Sequence, residues 1–190
     1  SIGTIFSVYR KKSPGRSIIE TDLLQKGADQ VAGGYIVYGS STMLIYSSGS
    51  GVHGFTLDPS IGEFFLSHPD MKIPIQGNIY SVNEGNQLSW DNKQINLISY
   101  FKQIDKTTMR PYKARYIGSM VSDFHRTLLK GGIFMYPKDQ KNPNGKLRFA
   151  FEACPLAFIV ENAGGRASTG KERILDIVPS NIHQCVPLYI

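Results

Sequence analysis

Gly34-Tyr35-Ile36-Val37-Tyr38 and Thr42-Met43-Leu44-Ile45-Tyr46 are two runs of aromatic and β-branched residues, joined by the short turn Gly39-Ser40-Ser41. They read as a pair of antiparallel strands. Downstream, Val52 to Leu57 and Glu63 to Leu66 repeat the pattern, broken by Asp58-Pro59-Ser60. Upstream, Ser1 to Tyr9 reads as a further, buried strand, followed by a polar loop from Lys11 to Arg16 and a short helix over Thr21 to Lys26 stopped by Gly27. The first third of the chain is therefore expected to be an antiparallel meander.

The character changes near Ser67 to Pro74, where Pro69, Pro74 and a charged stretch mark a junction. Two domains are expected, residues 1–72 made mainly of strands and residues 73–190 of mixed α/β type. In the second, Ile79 to Val82 reads as a strand, and Ile95, Ile98 and Phe101 fall at helical spacing. A second helix runs from Ser119 to Lys130, with Met120, Val121, Phe124 and Leu128 as its apolar face and Gly131-Gly132 as its stop. Ile133 to Tyr136 and Leu147 to Phe151 read as strands, and Pro155 opens a third helix that Gly164-Gly165 closes. Strands first, then strands interleaved with helices, predict a layered α/β architecture with two sheets and helices packed on them.

Composition supports a folded core: 41% of the 190 residues are hydrophobic and 19% charged. The net charge of +6 is dispersed, and its densest cluster is only Arg10, Lys11 and Lys12. That pattern argues against a nucleic-acid or membrane surface and for a small polyanionic ligand. No apolar run is long enough to span a bilayer. Cys154 and Cys185 make no disulfide framework and are expected to be reduced and buried. There is no phosphate-binding Gly-x-x-x-x-Gly-Lys loop, no third glycine after Gly49-Ser50-Gly51 and no Gly-x-Ser-x-Gly elbow. No close acidic group could hold two metals unaided. Both ends read as strand rather than as frayed termini, so both are expected to continue into a longer chain.

Four places could carry chemistry. Asn83-Glu84-Gly85-Asn86 ends a strand, where open α/β sheets place ligand groups, and it is equally a plain turn. Arg115-Tyr116-Ile117-Gly118-Ser119 leads into a helix N-terminus that favours an anion, or it is an ordinary capped helix. Tyr136 and Lys146 flank the loop between two strands. If those strands are neighbours, hydroxyl and ammonium converge on a point suited to a sugar phosphate; otherwise the loop is a hairpin with an exposed Lys. Glu152 lies in apolar company and needs a partner, either a hard cation such as Mg2+ or the N-terminus of the helix that Pro155 opens.

Taken in order, Ser1-Ile2-Gly3-Thr4-Ile5-Phe6, Tyr38-Gly39-Ser40-Ser41-Thr42-Met43, Thr56-Leu57-Asp58-Pro59-Ser60-Ile61-Gly62-Glu63-Phe64, Tyr80-Ser81-Val82-Asn83-Glu84-Gly85, Arg115-Tyr116-Ile117-Gly118-Ser119-Met120-Val121, Gly145-Lys146-Leu147-Arg148 and Ala163-Gly164-Gly165 resemble class I fructose-1,6-bisphosphatases along essentially the whole chain. The resemblance implies the layered sugar-phosphatase fold. It also implies an Mg2+-dependent hydrolase of gluconeogenesis that converts fructose 1,6-bisphosphate to fructose 6-phosphate. Asn83, Tyr116 and Tyr136 match residues that hold the 6-phosphate, and Lys146 matches a lysine reaching the sugar and its phosphate. Arg115 matches an arginine donated to a neighbouring subunit of a tetramer, Glu152 a metal ligand, and Arg10 part of an AMP inhibitor site. Asn86 stands where many members carry Tyr and is assigned no contact. The family's Asp-Pro-Leu-Asp-Gly-Ser-Ser metal block is expected just before Ser1, so these residues alone are expected to be catalytically incomplete. A cytoplasmic location is expected, because two isolated thiols suit a reducing compartment and the sequence has no Asn-x-Ser/Thr sequon. A non-catalytic sugar-phosphate-binding regulatory module and a sedoheptulose bisphosphatase are the alternatives.

Overall fold

A computed structural model describes residues 2–190. The expected meander is present as a five-stranded, wholly antiparallel sheet in sequence order: β1 (Ile2–Tyr9), β2 (Gln30–Tyr38), β3 (Met43–Ser47), β4 (His53–Asp58) and β5 (Glu63–His68). Gly33 and Gly34 in β2 lie where side chains from neighbouring elements come close. A Cβ on Gly34 would lie 2.5 Å from the Ile45 carbonyl oxygen and 2.6 Å from the Phe6 ring. The helix expected over Thr21 to Lys26 is instead a single 3-10 turn at Glu20–Asp22. There the Asp22 carboxylate accepts from the Lys12, Ser13 and Ile19 backbone N–H groups and folds the polar loop around itself. Those local bonds compete with a helical ladder.

The second sheet is mixed, in the order β11 (Leu188–Tyr189), β8 (Ile133–Tyr136), β6 (Ile79–Ser81), β7 (Lys113–Ala114). β6 runs parallel to both β7 and β8, and β11 runs antiparallel to β8. A small ribbon pairs β9 (Leu147–Arg148) with β10 (Cys185–Val186). The strand expected over Leu147 to Phe151 thus ends at Arg148, and Phe149–Ala153 winds into one π turn. β8 and β9 are not partners, so the expected pairing of the Tyr136 and Lys146 strands does not occur.

α1 (Asn92–Lys102) is capped by Asp91, whose side chain accepts from the Gln94 N–H, and packs its Ile98 and Phe101 on the β6–β8 face with Trp90 and Met135. α2 (Met120–Lys130) begins after Ser119 and ends at Gly131, whose φ of 69° an L side chain rarely adopts. It touches β1 and β2 on one side and β8 on the other, so it lies between the two sheets. Phe124 meets Tyr35 of β2 edge to face at 5.3 Å. α3 (Cys154–Asn162) is buried from Cys154 through Val160 and packs on β1, β2 and β3. The main core therefore draws on both halves of the sequence, from Tyr35 and Ile45 to Phe134, Ile159 and Leu188. Cys154 is buried, as expected. Cys185 is half-buried, because β10 pairs on one edge only, and both thiols are free.

Candidate functional site

Three parallel strands end at one edge of the second sheet. The register pairs Ser81 with Phe134 and Tyr80 with Ala114. Continuing it by two and three residues brings Asn83 level with Tyr136 and with Ile117, which adjoins Tyr116. β7, β6 and β8 thus release Tyr116, Asn83 and Tyr136 side by side, where parallel sheets place their ligand groups.

Beside Asn83 and Tyr136 lies a hollow of about 190 Å³, lined by Asn83, Asn86, Tyr136, Lys141 and Lys146 over a floor of Val82, Trp90 and Met135. Small-molecule sites usually enclose about 300–1,000 Å³, so this one suits a phosphate-bearing end of a ligand rather than a whole bisphosphate. Larger hollows of about 660 and 720 Å³ open elsewhere and contain none of the expected site residues.

Asn83 caps the 3-10 turn Glu84–Ser89, its Oδ1 accepting from the Gly85 N–H at 3.1 Å. Its side chain also hydrogen-bonds Tyr116. Tyr116 is 42% exposed and is not part of the lining of the hollow. Burial raises the pKa of its hydroxyl, the Tyr136 and Asp123 charges add to the rise, and the bond from Asn83 opposes it. Tyr116 therefore stays protonated and able to donate at neutral pH.

Lys146 arrives from the loop 137–146. Asp139 holds that loop, its Oδ1 accepting from the Lys141 and Asn142 N–H groups at 2.9 and 2.7 Å. Burial would raise the Asp139 carboxyl, but the bonds from Asn142 and Lys141 outweigh it and keep the group ionised below the ordinary range. Gly145, at φ 84°, passes so close to Val186 and Pro187 that no side chain fits. Lys146 and Tyr136 are thus brought together without strand pairing, by a loop clamped onto the β10–β11 crossing.

The other expected residues lie outside this hollow. The exposed Arg115 guanidinium donates to the adjacent Ala114 carbonyl at 3.0 Å. Arg10 sits exposed beyond the end of β1, its carbonyl accepting from Gln25. Glu152 lies on the π turn. Its Oε2 accepts from the Arg148 N–H at 2.7 Å and pairs with the Arg148 guanidinium at 3.7 Å. That contact takes the place of the N-terminus of the following helix, one of the two partners expected for this carboxylate. Among the described residues no group of three His, Cys, Asp or Glu side chains could hold a metal ion. Glu152 alone supplies too few oxygen ligands for a hard divalent cation, so this donor set does not by itself make a metal centre. Sequence reasoning missed Lys141, which looked like an ordinary loop cation, and Asp123, a buried carboxylate behind the site.

Residues 73–190 match the model for the fructose-1,6-bisphosphatase C-terminal domain and residues 1–69 the model for the N-terminal domain. The chain belongs to the fructose-1,6-bisphosphatase family. It is 60% identical to the class 1 fructose-1,6-bisphosphatase of Chloroherpeton thalassium, matching across 100% of this chain and 55% of the relative. Against those of Maridesulfovibrio salexigens and Nitratidesulfovibrio vulgaris the identities are 57% and 56%, covering 57% and 58% of the relatives. The chain thus spans rather more than half the length of these fructose-1,6-bisphosphatases. No helix among its described residues is long and apolar enough to cross a membrane.

Proposed function

We propose that these residues form the sugar-phosphate-holding part of a fructose-1,6-bisphosphatase, which hydrolyses the 1-phosphate of fructose 1,6-bisphosphate to give fructose 6-phosphate and phosphate. One observation carries this reading: the register that sets Tyr116, Asn83 and Tyr136 at one sheet edge beside Lys146. Two phenolic hydroxyls and an amide donate to phosphate oxygens, and the ammonium supplies charge. The hollow's size favours the 6-phosphate end, which leaves the reacting 1-phosphate outside it.

In this reading residues 1–72 belong to an N-terminal domain and residues 73–190 to the substrate-binding domain. Arg115, exposed and held only locally, reaches toward a neighbouring subunit of a homotetramer. Glu152 contributes one ligand to catalytic Mg2+, with the other ligands coming from outside these residues. Arg10 is a partial AMP-site residue. The setting is gluconeogenesis in the cytoplasm.

The test is phosphate release from fructose 1,6-bisphosphate with Mg2+, using the protein expressed from its complete reading frame, with sedoheptulose 1,7-bisphosphate as competitor. Turnover is expected, with a KM that rises about tenfold or more in Lys146→Ala, since charge-assisted hydrogen bonds are the strong ones. Tight binding of fructose 6-phosphate without turnover would instead mark a regulatory module. An unchanged KM in Lys146→Ala would remove Lys146 from the site. Residues 1–190 alone are expected to bind without turning over.

A further inference from the structure

Behind the hollow, Asp123 of α2 is completely buried, and its carboxylate is spent on the segments that carry the site. Oδ1 accepts from the Ser81 hydroxyl at 2.8 Å, and Ser81 is the last residue of β6, two before Asn83. Ile117 donates its N–H to both oxygens at 3.1 Å, and Gly118 donates to Oδ2 at 3.1 Å. These two amides follow Tyr116 directly. Arg126, one turn along α2, gives one Nη2 to Asp123 at 2.8 Å and to the Arg115 carbonyl at 2.7 Å. The carboxylate therefore ties the end of β6, the turn after β7 and the middle helix into one unit.

Helix stability alone does not call for this carboxylate. α2 already has its apolar stripe of Val121, Phe124 and Leu128 on the core. A buried charge is costly, and a well-packed apolar side chain often serves stability as well or better. What an apolar residue cannot do is accept four converging donors from three segments at once.

We propose that Asp123 is a positioning residue for phosphate binding, fixing the spacing between Asn83 and Tyr116 so that amide and hydroxyl reach one phosphate group. This rests on the functional reading above. It assigns Asp123 no contact with substrate. The ligand held by the arrangement is the terminal phosphate of a sugar phosphate, which needs donors at set separation rather than charge alone. The Asp123 charge also helps keep the Tyr116 hydroxyl protonated, as a donor must be.

The test is a double-mutant cycle in the protein from its complete reading frame, reading KM for the bisphosphate, kcat, and the Kd of fructose 6-phosphate. Asp123→Asn turns one acceptor into a donor facing the Ile117 and Gly118 amides, so the turn is released. KM and Kd are expected to rise about tenfold or more, with kcat changed far less, the mark of lost uniform binding. In a Tyr116→Phe background the same substitution should cost at most about threefold, because residues acting through one another are not additive. An equal factor in both backgrounds would overturn the inference, as a general loss of structure acts independently of Tyr116. If Asp123→Asn does not fold, Ser81→Ala removes one bond only. Its rise in KM is expected to disappear in an Asn83→Ala background, and full additivity there likewise overturns the inference. Should Tyr116→Phe and Asn83→Ala themselves leave KM and Kd unchanged, it is the functional reading that fails.

Discussion

Replacing Gly145 by alanine should disturb the site from a position that lines no part of it. Gly145 has a φ of 84° and precedes Lys146. A Cβ there would lie 2.2 Å from the Pro187 nitrogen, 2.2 Å from the Val186 carbonyl carbon and 2.4 Å from its oxygen. Ordinary contact begins at 3.4 Å, so the shortfall is 3.4 less 2.2, or 1.2 Å. All three atoms are backbone, and they are pinned on both sides. Val186 pairs with Leu147, and Leu188 pairs with Tyr136. Either the loop 137–146 lifts by about an ångström or the ribbon parts. The positive φ costs about 1–2 kcal/mol, and the crowding adds about 1–3 kcal/mol.

Gly164→Ala is the matched control. Its φ is 89°, yet a Cβ there meets nothing within 4 Å. It should lose only the backbone cost, a fall in Tm of about 2–8 °C, against roughly twice that for Gly145→Ala. A displacement of this size at a binding group can cost up to about a hundredfold. The bisphosphate KM is therefore expected to rise about fivefold or more in Gly145→Ala and to stay unchanged in Gly164→Ala, as read by phosphate release alongside thermal melts. Equal Tm and equal KM in the two variants would refute the claim that contact with Val186–Pro187 positions Lys146.

Two further expectations concern buried titratable groups. The His125 pKa falls to about 4 through burial and the nearby His68 charge, while its Nδ1 meets the Tyr35 hydroxyl at 2.8 Å. Because the folded pKa lies below the unfolded 6.5, the unfolded chain binds the extra proton. Stability is full above about pH 6.5 and declines as pH falls toward 4, by at most about 3 kcal/mol at 1.36 kcal/mol per pKa unit. Urea midpoints compared at pH 7 and pH 5 should fall less in His125→Gln, and an equal fall would exclude His125 as the source. Burial pushes the Cys154 thiol up to about 12, against an opposing bond from Tyr9. Native alkylation followed by peptide mass spectrometry should therefore label Cys185 and spare Cys154, and early labelling of Cys154 would contradict its burial.

Much of the frame was legible because it rests on local pattern. Alternation and turn residues marked β1 to β5, and the stripe Val121, Phe124, Leu128 marked α2. Asn83 was legible as a strand end, but its neighbours were not. Which strands lie side by side depends on long-range pairing, and no short-range signal sets the order β7-β6-β8 that brings Tyr116 and Tyr136 to either side of it. Lys146 was placed near Tyr136 for the wrong reason, since Gly145 and the Val186–Pro187 crossing do what strand pairing was expected to do. Asp123 was missed because it sits on the flank of the α2 stripe, where a polar residue is normally solvated. The one signal was Arg126, a partner three residues on.

The misread segment Leu147 to Phe151 shows how a local rule gave way beside Glu152. Its alternation is that of a strand, yet pairing stops after Arg148. The chain instead takes a wider turn, in which the Cys154 N–H reaches the Phe149 carbonyl. That extra residue per turn swings Glu152 back over Arg148, where both of its contacts fall on the single oxygen Oε2. Had the strand run on, period-two alternation would have set Glu152 on the face opposite Phe151 and Ala153, with no backbone N–H to accept from. The wide turn thus sets the direction of the one carboxylate that the family resemblance assigns to metal, and single π turns of this kind recur at functional sites.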